Sequence, residues 1–130
     1  ADLLVSGSVS DFTNSQLGIV LRWTDDTHYY KAYINGGSFT ILRRQGTLGP
    51  ILATMGYAAQ HNIPYTLRFR MVGTTLAAKV WQTGHTEPAN WMLNATDTTF
   101  HSGRAGLRSS VNSGVTLDIT QFTLTKATGL

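Results

Sequence analysis

The sequence predicts an all-β, antiparallel fold of the sandwich or barrel kind, and three observations predict it. Short runs of alternating apolar and polar residues recur along the chain, bounded by Gly, Asn, Asp or Pro. No long apolar stretch keeps the period of a helix. Thirteen glycines and many threonines and serines suit tight turns and pleated strands. With 130 residues, 42% of them hydrophobic, the chain is expected to form a single domain, 1–130, around one core.

Strands are expected at 2–9, 17–24, 28–35, 38–44, 50–55, 64–72, 75–82, 90–96, 104–110 and 115–125. Gly73-Thr74, "NGG" (35–37) and "TDDT" (24–27) mark hairpin turns, because Gly, Asn and Asp supply the turn conformations. "HTEPAN" (85–90) is a longer turn, its Pro88 unsuited to a central strand.

The turns set the registers. Around Gly73-Thr74, Val72 faces Thr75, Arg70 faces Ala77, Arg68 faces Lys79 and Thr66 faces Trp81. Around Gly36-Gly37, Ile34 faces Phe39, Tyr33 faces Thr40, Lys31 faces Leu42 and Tyr29 faces Arg44. Around "TDDT", Leu21 faces Tyr30 and Arg22 faces Tyr29. Each hairpin thus sends its apolar side chains one way and a basic, aromatic set the other.

If the three hairpins share a sheet, one face collects Arg22, Tyr29, Lys31, Tyr33, Arg44, Arg68, Arg70, Lys79 and Trp81. That is six of the ten basic residues and no acidic one. Trp23 is expected on the inner face with Ile19 and Leu21. Trp91 is expected at the core or its rim, alternating with Leu93 and Ala95. The Arg68–Lys79 apposition costs up to roughly 1 kcal/mol unless an anion or wider spacing relieves it.

Catalytic chemistry finds little support. There is no cysteine, which excludes disulfides, thiolate zinc sites and cysteine nucleophiles. A glycosidase pair needs two facing carboxylates. The one glutamate, Glu87, precedes Pro88 in a turn, and only Asp25 and Asp26 are adjacent, in a hairpin turn where Asp is favoured locally. His28, His61, His85 and His101 have no metal-ligand spacing. A net charge of +3 without an RNP-type motif disfavours nucleic acid. No apolar run reaches the length of a membrane span, so no membrane insertion is expected.

"LGIVLRWTDDTHYYKAYI", followed by "PYTLRFRMVGTTLAAKVWQTGHTEPANWMLNATDTTFHSGRAGLRS", resembles a bacterial extracellular group of concanavalin A-like, LamG-like jelly rolls. The "AKVWQTGHTEPANW" core carries most of the likeness. The resemblance implies a jelly-roll sandwich, secreted or at the cell surface, of the carbohydrate-binding-module type. The group has a further strand before the position of Asp2. It also tends to paired acids where "LDITQF" has Thr120 and Gln121. Related jelly rolls hold a structural calcium with acids near both chain ends, which makes Asp2 and Asp118 the metal candidates here.

The expected function is non-catalytic binding of a polysaccharide, an acidic one. Trp81 and Tyr33 would stack on sugar rings, while Arg22, Arg68, Arg70 and Lys79 would take anionic substituents. Two alternatives are a structural or adhesive extracellular surface domain that associates with protein, a second copy of itself included, through an uncovered edge strand, and a small polysaccharide lyase or glycoside hydrolase.

Overall fold

The structure is a computed structural model and describes residues 1–126. Ten strands follow in order: β1 (Asp2–Val9), β2 (Leu17–Asp25), β3 (His28–Ile34), β4 (Ser38–Gln45), β5 (Ile51–Gly56), β6 (Tyr65–Val72), β7 (Thr75–Gln82), β8 (Leu93–Thr96), β9 (Arg104–Leu107) and β10 (Leu117–Thr125). They form two antiparallel five-stranded sheets, with orders β10-β1-β6-β7-β8 (sheet A) and β5-β4-β3-β2-β9 (sheet B). Among the described residues no helix is long and apolar enough to cross a membrane.

All ten expected strands form. The apolar side chains Leu3, Val5, Leu67, Phe69 and Met71 of sheet A interlock with Ile19, Leu21, Tyr30, Ala32, Phe39 and Ile41 of sheet B in one buried cluster. The hairpin registers hold for Arg68 opposite Lys79, Thr66 opposite Trp81, Tyr33 opposite Thr40 and Tyr29 opposite Arg44.

The assumption that the three hairpins share one sheet is corrected. The hairpins of β2, β3 and β4 belong to sheet B, whereas β6 and β7 belong to sheet A. The intervening segment 57–64 crosses from one layer to the other. It is held by an edge-to-face contact of Tyr57 on Tyr65 and by a hydrogen bond from the Gln60 N–H to the Tyr65 hydroxyl. Outward side chains of the two sheets therefore point in opposite directions.

A second correction concerns β2. Pairing with β3 is regular up to Leu21 opposite Tyr30, shifts, and resumes at Asp25 opposite His28. Arg22 within this bulge has φ +52°, the left-handed region that few non-glycine residues occupy. Bulges re-aim the side chains beyond them. Trp23 accordingly pairs with Arg104 and shares the outward side with Val20 and Gly106, instead of joining Ile19 and Leu21 in the core. Arg22 no longer faces Tyr29; its Nη1 donates to the Phe100 carbonyl at 2.7 Å.

The uncovered edge on which the adhesive alternative depends is not the first strand. β1 lies between β10 and β6 and is no edge strand. Among the described residues the sheet edges are β10, β8, β5 and β9.

Candidate functional site

On the outer face of sheet A, the Arg68–Lys79 apposition is relieved from within the chain. β8 starts only at Leu93, and the loop between β7 and β8 folds back over the sheet. One oxygen of Glu87 lies 2.9 Å from Arg68 Nη1 and 2.7 Å from Lys79 Nζ. Arg68 also donates through Nε and Nη2 to the carboxylate of Asp2, and Lys79 donates to the Pro88 carbonyl at 2.8 Å. Trp91 stands over both cations, 4.8 Å from Lys79 Nζ and 5.8 Å from the Arg68 guanidinium, so it lies outside the core rather than in it.

Two cations thus meet two carboxylates and an aromatic ring, and their charges cancel locally. Arg70, on the same face, is engaged as well. Burial alone would raise the Glu87 carboxyl, but the bonds from Lys79 and Arg68 outweigh it and hold the group below the usual glutamate range. A general acid needs the opposite shift. Glu87 is built to stay ionised.

The Asp2–Asp118 metal pair is not assembled. Asp2 sits at one end of β1 opposite Thr125, while Asp118 pairs with Ser8 near the other end. Six strand residues, on the order of 20 Å, separate them. Among the described residues no group of three or more His, Asp or Glu is placed to hold a metal.

The outer face of sheet B treats its cations differently. Tyr29, Lys31 and Tyr33 from β3 stand beside Arg44, Leu42 and Thr40 from β4. Gly18 and Val20 of β2 flank them on the other side. Lys31 is only 6% exposed. Its Nζ donates to Gln16 Oε1 and lies 5.2 Å from the centre of the Tyr33 ring. Gly18 is required here, since a Cβ would come within 2.5 Å of the Lys31 chain and 2.4 Å of the Arg108 carbonyl oxygen.

Arg108 continues the line of β9. It stacks over the Tyr29 ring at 5.2 Å and donates from Nε to its hydroxyl at 3.0 Å. Burial, and then the Arg108 charge, lower Lys31 to about 8. Arg44 Nε donates to the Gly46 carbonyl.

Among the described residues, no carboxylate forms an ion pair with Arg22, Lys31, Arg44 or Arg104. Among the described residues Arg108 has the exposed Asp26 alone as a carboxylate partner, at 3.4 Å. At the β9 edge, a pocket of about 170 Å³ is lined by Val20, Trp23, Arg104, Ala105, Gly106 and Leu107.

The nine expected site residues are therefore divided. Tyr29, Lys31, Tyr33 and Arg44 share the outer face of sheet B; Arg68, Arg70, Lys79 and Trp81 lie on the opposite outer face; Arg22 turns away to the β8–β9 connection. Trp81 and Tyr33 point to opposite sides of the molecule. Trp23, Arg104 and Arg108 were not among the expected site residues. For the two arginines a signal existed: Arg104, Gly106 and Arg108 recur at i, i+2 and i+4, one face of a strand.

No family model matches the sequence. No curated protein matches it either. Among solved structures the chain is similar to "carbohydrate binding module CBM66 from Bacillus subtilis", with a TM-score of 0.71 at 13% identity over 94% of this chain and 73% of that one. At that identity the likeness is one of fold: the two-sheet jelly roll.

Proposed function

We propose that this protein is a non-catalytic carbohydrate-binding module, working outside the cell or on its surface, that binds an acidic polysaccharide across the outer face of sheet B. The observation that carries this reading is the contrast between the two outer faces. On sheet A, Arg68 and Lys79 are cancelled by Asp2 and Glu87, whereas Lys31 and Arg44 of sheet B have neutral partners. Half-buried Arg44, with the charge of nearly buried Lys31 beside it and partly exposed Tyr33 on the same face, offers a ring for the apolar face of a sugar and positive charge for its anionic substituents. The similarity in fold to a solved carbohydrate-binding module supports the same reading.

Affinity electrophoresis in polygalacturonate, with dextran as the neutral control, tests it. Retention is expected in the acidic polymer and is expected to fall with salt, since exposed charges are screened over about 10 Å at 0.1 M. Tyr33→Ala should weaken binding by about 1–3 kcal/mol, the scale of one lost stacking platform. Trp81→Ala, on the other face, should change little. The reverse pattern would move the site to sheet A and overturn the assignment.

One observation favours a second reading, a surface domain that associates with protein. Among the described residues nothing pairs with the outer edge of β10, where Phe122 and Leu124 are 46% and 51% exposed. Open edges of this kind accept further strands. Concentration-dependent growth in light scattering, without retention by any glycan, would favour it.

A further inference from the structure

The pocket at the β9 edge lies outside the set of residues that the sequence pattern assembled, and three of its features have a common consequence. Trp23, half-buried, reaches it only because the β2 bulge holds Arg22 at φ +52°. Backbone held in a sparsely populated region persists where the surroundings enforce it, and such sites cluster where ligands bind. Here the enforcement is visible. Gly103 packs against the Arg22 backbone so closely that a Cβ would lie 2.3 Å from the Arg22 carbonyl carbon.

Arg104, directly opposite Trp23, is exposed and has no carboxylate partner among the described residues. Gly106 leaves the floor open, since a Cβ there would meet only Val20 Cγ2, at 3.9 Å. As β9 is an edge strand, its outward N–H and C=O groups are available to hydroxyl groups.

We infer that this pocket is a subsite for one pyranose ring bearing a carboxylate, a uronic acid unit. The Trp23 ring covers the apolar face of the sugar, and the Arg104 guanidinium holds the carboxylate. The volume, about 170 Å³, lies below the roughly 300–1,000 Å³ of sites that enclose larger ligands, which suits a single ring. A planar guanidinium meets a planar carboxylate through two parallel hydrogen bonds, and this selects an acidic sugar over a neutral one. The inference rests on the reading of the protein as a binder of acidic polysaccharide, and adds to it the unit recognised and the place.

The test is titration of the whole chain with glucuronate, glucose and glucose 6-sulfate, followed by NMR of the tryptophan indole N–H signals. Glucuronate should shift one indole signal, which Trp23→Phe removes, and should bind at least tenfold more tightly than glucose. Gly106→Val fills the floor at a position with open space and a conformation valine accepts. It should abolish glucuronate binding while leaving the melting temperature nearly unchanged, and Arg104→Gln should bring glucuronate down to the level of glucose.

If Gly106→Val leaves glucuronate binding intact, or glucuronate binds no better than glucose, the subsite is overturned. Stronger binding of glucose 6-sulfate than of glucuronate overturns the carboxylate assignment. Polygalacturonate binding that is lost in Tyr33→Ala but indifferent to Gly106→Val overturns the subsite and leaves the sheet B reading standing. Glucuronate binding that is lost in Gly106→Val, in a protein that ignores the polymer, upholds the pocket and removes the wider reading.

Discussion

The Nζ of Lys79 lies 2.7 Å from the carboxylate of Glu87, and the same oxygen accepts from Arg68. Two like charges opposite each other on β6 and β7 are thereby bridged by a residue from the loop that follows. Glu87→Gln should destabilise the fold by about 1–2 kcal/mol, because it restores the repulsion and leaves Lys79, nearly buried, with a weaker partner. In a Lys79→Met background the same change should cost less, and a double-mutant cycle by chemical denaturation measures the difference. Because Glu87 is held below its ordinary range in the folded chain, its contribution is complete above that range and is lost on further acidification.

Asp97 joins the two layers. It accepts from the Tyr30 hydroxyl and from Arg43 Nη1, each at 2.5 Å, and from the Thr99 N–H. Burial opposes ionisation, but these donors prevail and lower the carboxyl to about 2. Asp97→Asn should cost about 2–3 kcal/mol, the scale of lost hydrogen bonds to a buried charge. The wild-type contribution is present above the ordinary aspartate value of 3.8 and disappears as the pH falls toward about 2. Acid unfolding curves of the two proteins should therefore converge at low pH.

Lys31 works against stability. Its ammonium, lowered to about 8 in the fold against 10.5 when unfolded, is penalised chiefly by burial. Below pH 8 both states are charged and the full penalty applies. Between about 8 and 10.5 the native state sheds its proton first, and the penalty fades. Lys31→Met should raise stability at pH 7, by on the order of 1–3 kcal/mol, with the gain shrinking as pH rises through that window. The same variant should bind acidic polysaccharide less well. A gain in stability coupled to a loss of binding separates a ligand-directed cation from one retained for the fold.

Gly103 has φ +146° and no room for a side chain against Arg22. Gly103→Ala should push β9 off β2, lowering stability by about 2 kcal/mol or more. Binding at the edge pocket should be lost with it. Thermal melts and the glucuronate titration, run side by side, check both effects.

The strands, the hairpins and all their expected registers except Arg22 opposite Tyr29 were legible in the sequence because they depend on neighbours in the chain. The turn at Gly73-Thr74 fixes Arg68 opposite Lys79 whatever surrounds the hairpin. Which sheet a hairpin joins depends on contacts between distant segments. The crossing at 57–64 placed β6 and β7 in the other layer and divided the expected face in two.

The fate of three further residues was equally non-local. Glu87 reaches Arg68 and Lys79 only because its loop folds back over β7. Trp91 follows that loop onto the outer face. Trp23 departs from strict alternation because Gly103, eighty positions along the chain, packs against the backbone at Arg22 and holds the bulge in place. Alternation is a property of the pleat and can be read from one strand; a bulge, a crossing or a folded-back loop is stabilised by packing against a partner that the strand's own sequence does not contain.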